Sequence, residues 1–561
     1  VRLRLITSAA CLFLSAGIVH ADVKLPAIFG SHMVLQRDQK VPVWGTADAG
    51  EEVTITLGDA KATATTGADG KWSATLDSLK TSEKPSTMTV AGKNTVTFED
   101  VLVGDVWVAS GQSNMEFQLS RANTAGADIA KADLPEIRLF LLQRKVSWQP
   151  LSDCTGTWQV CSPKTAPGFS AVGFYFAREI NKTQGVPVGM IGTYWGGTPA
   201  QAWTSIDALA GVPELGQLAD AFAKQQKNMP ASKEKYEKET LPTWQAAHDK
   251  WAKEVGDVYN EAMKKFQADA AAAKAENKPL PPKPVLAAPE PKKPGAPDQS
   301  PNVPSVLYNG MIAPIVPFAI KGAIWYQGEA NAGQPAQYRT LFPTMITDWR
   351  TRWGQGDFPF VWVQLTNFHA RLDEPTQTAG GWPGLREAQA MTLKLPNTGQ
   401  AVIIDIGNPN DIHPTDKLDV GHRVALSARH IAYGEQIVYS GPTLDSMKIE
   451  DGKVRIKFKN VGGGLAIAAA PSTQPSVPQA EPASELKGFA IAGDDKKFVW
   501  ATATIDGDSV IVSSPAVKTP VAVRYAWADN PECNLYNKEM LPASPFRTDD
   551  WVDPPKATTK P

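Results

Sequence analysis

Ser113 stands in the run Ser110-Gly111-Gln112-Ser113-Asn114-Met115-Glu116, directly after the apolar stretch Val106-Trp107-Val108-Ala109. A strand-to-helix turn at this point would expose a hydroxyl at the end of a buried strand. Such a serine becomes a nucleophile when an imidazole takes its proton. The run is not a Gly-x-Ser-x-Gly elbow, because Met115 occupies the second glycine position, which argues against the α/β-hydrolase arrangement. By itself it reads equally well as an N-capping serine. A base is found in Asn408-Pro409-Asn410-Asp411-Ile412-His413-Pro414, which follows Ala401-Val402-Ile403-Ile404-Asp405. One short loop there can bring a carboxylate to an imidazole, fixing its tautomer and stabilising the imidazolium that forms. Asp405 competes with Asp411 for that role, because it ends the preceding strand. Of the other histidines, His20 lies in the leader and His248 in an insertion. His422 and His430 fall in a helix after Asp416, and His32 and His369 lack a carboxylate at such spacing.

Acyl transfer also needs amide donors aimed at the negative charge that develops on the carbonyl oxygen. Tyr194-Trp195-Gly196-Gly197-Thr198-Pro199 offers backbone N–H groups that approach a substrate closely, since glycine carries no Cβ. Gln327-Gly328-Glu329-Ala330-Asn331 offers side-chain amides beyond another strand. Either alone could be an ordinary glycine loop. Four such segments, each following an apolar strand, point to one shared site.

The elements that must position them read as buried strands alternating with helices. Val188-Gly189-Met190-Ile191-Gly192, Gly322-Ala323-Ile324-Trp325-Tyr326, Phe360-Val361-Trp362-Val363-Gln364-Leu365 and the stretch ending at Asp405 are continuous apolar runs. Helical patterns lie between them at 338–353 and 385–395. The alternation predicts an α/β fold, a parallel sheet with helices on both faces. Ligands of such sheets bind at the carboxyl ends of the strands.

Two β-rich regions flank this centre. From Val23 to about residue 97, short alternating runs such as Val53-Thr54-Ile55-Thr56-Leu57 and Lys71-Trp72-Ser73-Ala74-Thr75 predict an antiparallel sandwich. Alternation returns after Tyr439, in Lys453-Val454-Arg455-Ile456-Lys457-Phe458 and Val521-Ala522-Val523-Arg524-Tyr525. An insertion at about 214–304 interrupts the centre. Its Lys-, Glu- and Ala-rich part carries Trp244, Ala247, Trp251 and Val255 at helical spacing. Ten of the twenty-six residues at 279–304 are proline, an extended tether. A surface helical hairpin is the reading favoured over a lid or a spacer that presents the helix to a polymer.

The 561 residues carry 56 basic and 58 acidic side chains, so no basic surface for nucleic acid is indicated. Hydrophobic content of 42% fits a globular chain of about three domains. No apolar run reaches a membrane span outside the N-terminal stretch. Residues 1–21 read as an export signal, with Arg2 and Arg4 before an apolar run and Val19-His20-Ala21 at the cleavage site. The expected destination is periplasmic or secreted. In an oxidising compartment Cys154 and Cys161 are expected to bridge, leaving Cys533 unpaired. Three cysteines without paired histidines make a poor metal site.

The runs 109–116, 195–203, 323–332 and 407–414 together resemble those of the sialate O-acetylesterase family, within the wider SGNH hydrolases. Phe29-Gly30-Ser31-His32-Met33-Val34-Leu35-Gln36 near the mature start is similar to family members too. The resemblance implies a flavodoxin-like catalytic domain at 99–438, between a β-sandwich-like region at 22–98 and a β-rich region at 439–553, with a tail at 554–561. It implies Ser113 as nucleophile, His413 as base and Asp411 as orienting acid. The Ser113 N–H, Gly196 or Gly197, and Asn331 would supply the oxyanion site. The sequence departs from the family pattern in two places. Asn410 holds the usual place of the acid, three before the histidine, and the third segment reads Gly-Glu-Ala-Asn, so Gln327 competes with Asn331. Trp195, Tyr326 and Glu329 are expected at the sugar, with Trp325 as readily a core residue. The implied activity is removal of acetyl groups from acetylated carbohydrate, with no metal or organic cofactor. The family name points to sialate. Acetylated xylan or xyloglucan, and more remotely a non-catalytic carbohydrate-binding protein, remain open.

Overall fold

The computed structural model describes residues 22–377, 380–468 and 485–551. The expected export signal at 1–21 and tail at 554–561 lie outside the described residues.

One long strand joins two parts of the molecule. β1 (Thr95–Gly111) alternates exposed and half-buried residues through Asp100, then is buried at every residue from Val101 onward. Its first part pairs antiparallel with Ser82–Ala91, in a sheet that continues through Glu52–Leu57 and Ala60–Thr65. Its second part lies at the centre of the main sheet. The boundary expected at 98/99 therefore falls inside a continuous strand, because that strand serves both sheets.

The main sheet adds β2 (Leu134–Leu141), β3 (Trp158–Cys161), β4 (Val188–Tyr194), β5 (Gly322–Tyr326), β6 (Phe360–Val363) and β7 (Thr398–Ala401). Their order is β7-β6-β5-β1-β4-β2-β3, and all neighbours are parallel except β2 and β3. β4, β5 and β6 are buried along their whole length, as strands covered on both faces must be. Alternate residues of β5 divide between two cores. Ile324 and Tyr326 pack with helices Ala171–Gln184 and Lys417–Tyr433, whereas Ala323 and Trp325 pack with Pro335–Trp353 and Trp382–Met391. The architecture is mixed α/β.

Beyond Ala401 the chain leaves the sheet sooner than its apolar run suggests. Arg423, buried on its helix, takes the Val402 carbonyl at 2.9 Å and both Asp405 carboxylate oxygens at 2.6 and 2.8 Å. Those acceptors bend the segment toward the helix instead of into a further ladder.

The C-terminal strands form two four-stranded antiparallel sheets and one two-stranded pair, around a separate apolar core. Two buried groups tie them to the α/β centre. Arg386 donates to the Leu365 and Thr366 carbonyls and to those of Ala528 and Asp529. The Tyr536 hydroxyl donates to Asp405.

The insertion is a long helical arm through Gly216–Lys235, Leu241–Trp251 and Asp257–Ala275, with π-helical turns between them. The proline-rich segment is not a free tether, for it runs back along the arm. The indoles of Trp244 and Trp251 donate to the Pro291 and Ala288 carbonyls at 2.9 and 2.8 Å, and Tyr236 donates to Pro294. Proline lacks an N–H, but its carbonyl still accepts.

The expected Cys154–Cys161 bridge is absent. All three cysteines among the described residues are free thiols. Cys161 is buried in the core on one face of the main sheet, while Cys154 packs against the core of the opposite face. Among the described residues no helix is long and apolar enough to cross a membrane.

Candidate active site

β1 ends at Gly111 with φ +137°, a conformation that disfavours a side chain. A Cβ there would stand 2.2 Å from the Tyr326 carbonyl oxygen of β5. The bare backbone lets the chain turn at once into the four-residue helix Ser113–Glu116. Ser113 occupies its first position, where an N–H has no acceptor within the helix. The Ser113 turn thus sits at the carboxyl edge of the sheet, between β4 and β5.

The second loop reaches the same point. His413 Nε2 lies 2.8 Å from Ser113 Oγ, and His413 Nδ1 lies 3.3 Å from Asp411 Oδ1. The loop is held by its own short contacts. His413 N–H donates to Asp411 Oδ1 at 2.9 Å, Asn410 N–H donates to Asn408 Oδ1, and Gly407 N–H donates to Asn367 Oδ1 at 2.7 Å. Asp411 is 54% exposed. Burial pushes the His413 imidazole below its usual value of 6.5, against the Asp411 carboxylate, which raises it. Lys417 and Arg121 act in the same direction as burial. An imidazole so placed is neutral at pH 7 and free to accept a proton. Asp405 is elsewhere: it is fully committed to Arg423 and Tyr536.

The third and fourth segments converge as well, though their groups divide the work differently from expectation. Gly196 abuts Ser113, since a Cβ on it would lie 3.2 Å from Ser113 Cβ. Its N–H, however, donates to Glu116 Oε2 at 2.7 Å. Gly197 is exposed, with φ +74° and no acceptor for its N–H among the described residues. The Gln327 amide is sealed in the core, donating to Thr198 O and Asn331 Oδ1 while its oxygen accepts from Tyr338. It is not available as an oxyanion donor. Asn331 Oδ1 also accepts from Ala200 N–H, and its amide nitrogen donates to Gln201 Oε1, which leaves one amide N–H over.

Two expected sugar contacts are corrected. Tyr326 is wholly buried beneath Lys417, whose ammonium lies 5.2 Å from the ring centroid, so the ring is no platform. One Glu329 carboxylate oxygen is closed off from solvent and the other accepts from Asn114 Nδ2, and burial raises the pKa of the group. Trp325 is core, as its alternative reading held. Trp195 is half-exposed, with the Arg144 guanidinium 5.4 Å from its ring centroid. Arg144 also pairs with Glu116. Beside them opens a cleft of about 470 Å³ lined by Glu116, Gln143, Arg144, Thr157 and Tyr194.

Sequence reasoning gave no role to Asn114 or Lys417, both buried directly under the turn. A signal for Lys417 exists: with Val420, Gly421 and Val424 it makes an i, i+3, i+4, i+7 buried stripe, in which a lysine is out of place. Among the described residues no cluster of three metal-ligating side chains occurs.

Residues 103–281 and 300–427 match the family described as carbohydrate esterase, sialic acid-specific acetylesterase. The sialate O-acetylesterase of Mus musculus is 28% identical across 95% of each chain, and that of Homo sapiens 27% identical across 95% of this chain and 93% of its own. A crystal structure described as a novel carbohydrate acetylesterase from Xanthomonas citri is 36% identical, with a TM-score of 0.74 over 94% of this chain and all of the other.

Proposed function

This chain belongs to the carbohydrate esterase family of sialic acid-specific acetylesterases and is a carboxylic ester hydrolase, and we propose that Ser113 carries the reaction through an acetyl-enzyme. The observation that carries the proposal is the 2.8 Å approach of His413 Nε2 to Ser113 Oγ at the carboxyl edge of a parallel sheet. That position, and the parallel order of the strands, also support an SGNH-type assignment.

Ser113 Oγ attacks the acetyl carbonyl carbon as its proton passes to His413 Nε2. The carbonyl oxygen takes the negative charge among the N–H groups of Ser113 and Gly197 and the remaining amide N–H of Asn331. Gly196 supports this site indirectly, because its N–H fixes Glu116 against the loop. The carbon–oxygen bond to the sugar breaks, and His413 returns its proton to the departing sugar oxygen. Water then attacks the acetyl group on Ser113 and gives a proton to His413. Acetate leaves, and Ser113 recovers its hydrogen. Asp411 holds Nδ1–H throughout.

The substrate class is an O-acetylated sugar, sialate by family. The cleft beside Glu116 and Arg144, with the half-exposed Trp195 at its edge, supports a site for a sugar ring and its polar substituents. The leader-like residues 1–21 support export to the periplasm or beyond. Acetate release is to be measured on O-acetylated sialic acid, acetylated xylan and a chromogenic acetate ester. Release from the sialate and the chromogenic ester is expected. Binding of acetylated glycan without any acetate release would overturn the enzymatic reading in favour of a carbohydrate-binding protein.

A further inference from the structure

Directly beneath the nucleophile turn lies a polar cluster that the chemistry above does not use. Asn114 follows Ser113 and is completely buried. Its Oδ1 accepts from Lys417 Nζ at 2.6 Å. Its two amide hydrogens are both engaged, for Nδ2 donates to Glu329 Oε1 at 2.6 Å and to the Ile412 carbonyl at 3.0 Å. Ile412 immediately precedes His413. One side chain, attached next to the nucleophile, therefore grips the peptide next to the base.

We propose that Asn114 is a positioning residue that clamps the Ser113 turn to the His413 loop, with the buried Lys417 and half-buried Glu329 side chains holding its amide in orientation. The inference rests on Ser113 and His413 being nucleophile and base. The residue types follow from the contacts. The clamp must donate to a carboxylate and to a peptide carbonyl while accepting from an amine, and only a primary amide does all three. Aspartate would present two acceptors where two donors are needed. Lys417 cannot be replaced by water at this point, because it is enclosed by Phe117 and Tyr326, with ring centroids 4.8 and 5.2 Å from Nζ. Burial brings the Lys417 pKa down to about 7, opposed by Glu329, Asp416 and Asp411. Its nitrogen donates to Oδ1 whether or not it carries the extra proton. Around His413 itself the loop is held by exposed, local contacts, and at its start by Gly407 N–H on Asn367 Oδ1. The Asn114 contact reaches the peptide before His413 from the residue next to the nucleophile.

Asn114→Ala tests this against Ser113→Ala and His413→Ala in the full chain, with a chromogenic acetate ester. Misplacement on the order of 1 Å costs about 10²-fold in rate. A fall in kcat of that order is expected, with KM held within about threefold, since nothing in the cleft is altered. Asn114 acts through His413, so Asn114→Ala should add almost nothing to the loss already present in His413→Ala. Equal fold losses in both backgrounds, a rise in KM at constant kcat, or wild-type kcat would overturn the proposal. If Asn114→Ala does not fold, Lys417→Met is read by the same criteria. It nearly keeps the volume and removes the donor to Oδ1 together with a charge that lowers the His413 pKa, so it is read on the high-pH plateau, where a loss of roughly tenfold in kcat, again absent in the His413→Ala background, is expected. Ser113→Ala separates the two levels. Turnover by that variant would sink the catalytic reading itself, whereas an inactive Ser113→Ala beside a fully active Asn114→Ala would sink only the clamp.

Discussion

Asp411 and Asp405 lie six residues apart, and their surroundings divide them. Asp411 is half in water and 3.3 Å from Nδ1, so its field at the imidazole is screened. Asp411→Asn is expected to lower kcat by roughly 10²-fold, less than the ~10⁴-fold found where a triad aspartate is buried. Asp405→Asn leaves Arg423 partly uncompensated in the interior, and breaking such a pair costs about 3–5 kcal/mol. It is expected to lower the melting temperature by several degrees and spare kcat; the reverse pattern in the two variants would exchange their roles. The pH dependence follows from His413. Its imidazole titrates below 6.5 and must be neutral to act, so kcat/KM should fall as pH drops through a value under 6.5. Removing the Asp411 charge takes away the influence that raises that value, so in Asp411→Asn the acid limb should move further down. A limb above 6.5, or an upward shift in the variant, would contradict the assignment. Ser113, Asp411 and His413 could be picked out as candidates because their types and loop spacing are themselves the chemical signal, and the fold brings the three together. Tyr326 is misread because the pattern places it at the open end of a strand, whereas β5 is buried on both faces through that last residue.

At the scale of elements, the alternation of apolar runs and helical patterns made the parallel sheet legible. What it could not supply was which face each residue takes. Cys154 and Cys161 are close in sequence, and their spacing allows a short bridge. The strand β3, which ends at Cys161, settles the matter, since it sends Cys161 into one core while Cys154 packs on the other. Labelling of denatured, unreduced protein lacking residues 1–21 should therefore find three thiols. A single labelled cysteine would restore the bridge. Gly111 shows the opposite case, in which one residue sets the junction of two elements. A methyl group at Gly111 has no space against the Tyr326 carbonyl. Gly111→Ala should displace the Ser113 turn, lowering kcat and melting temperature together, and a neutral outcome would show that the turn tolerates a shifted β5.

At the scale of the whole molecule, the helical arm and its proline-rich return stand apart from the chemistry. Lys233 and Asp298 meet at 2.8 Å across its base, so residues 234–297 can be replaced by a short linker. Turnover of a small chromogenic ester should be unchanged by that deletion; its loss would make the arm part of the active site. Composition made the arm legible, and the indole contacts that fold its proline segment back were beyond any periodicity. The proposed reaction, by contrast, depends on one hydroxyl, that of Ser113, which lies against His413 from a distant segment of the chain. Acetate release by Ser113→Ala, measured beside its melting temperature, therefore bears on everything above. Losing a hydroxyl at the sheet edge opens no core cavity, so the expected result is an unchanged melting temperature with no acetate released from O-acetylated sugar. Wild-type-like release by a folded Ser113→Ala protein would contradict the serine-esterase assignment outright.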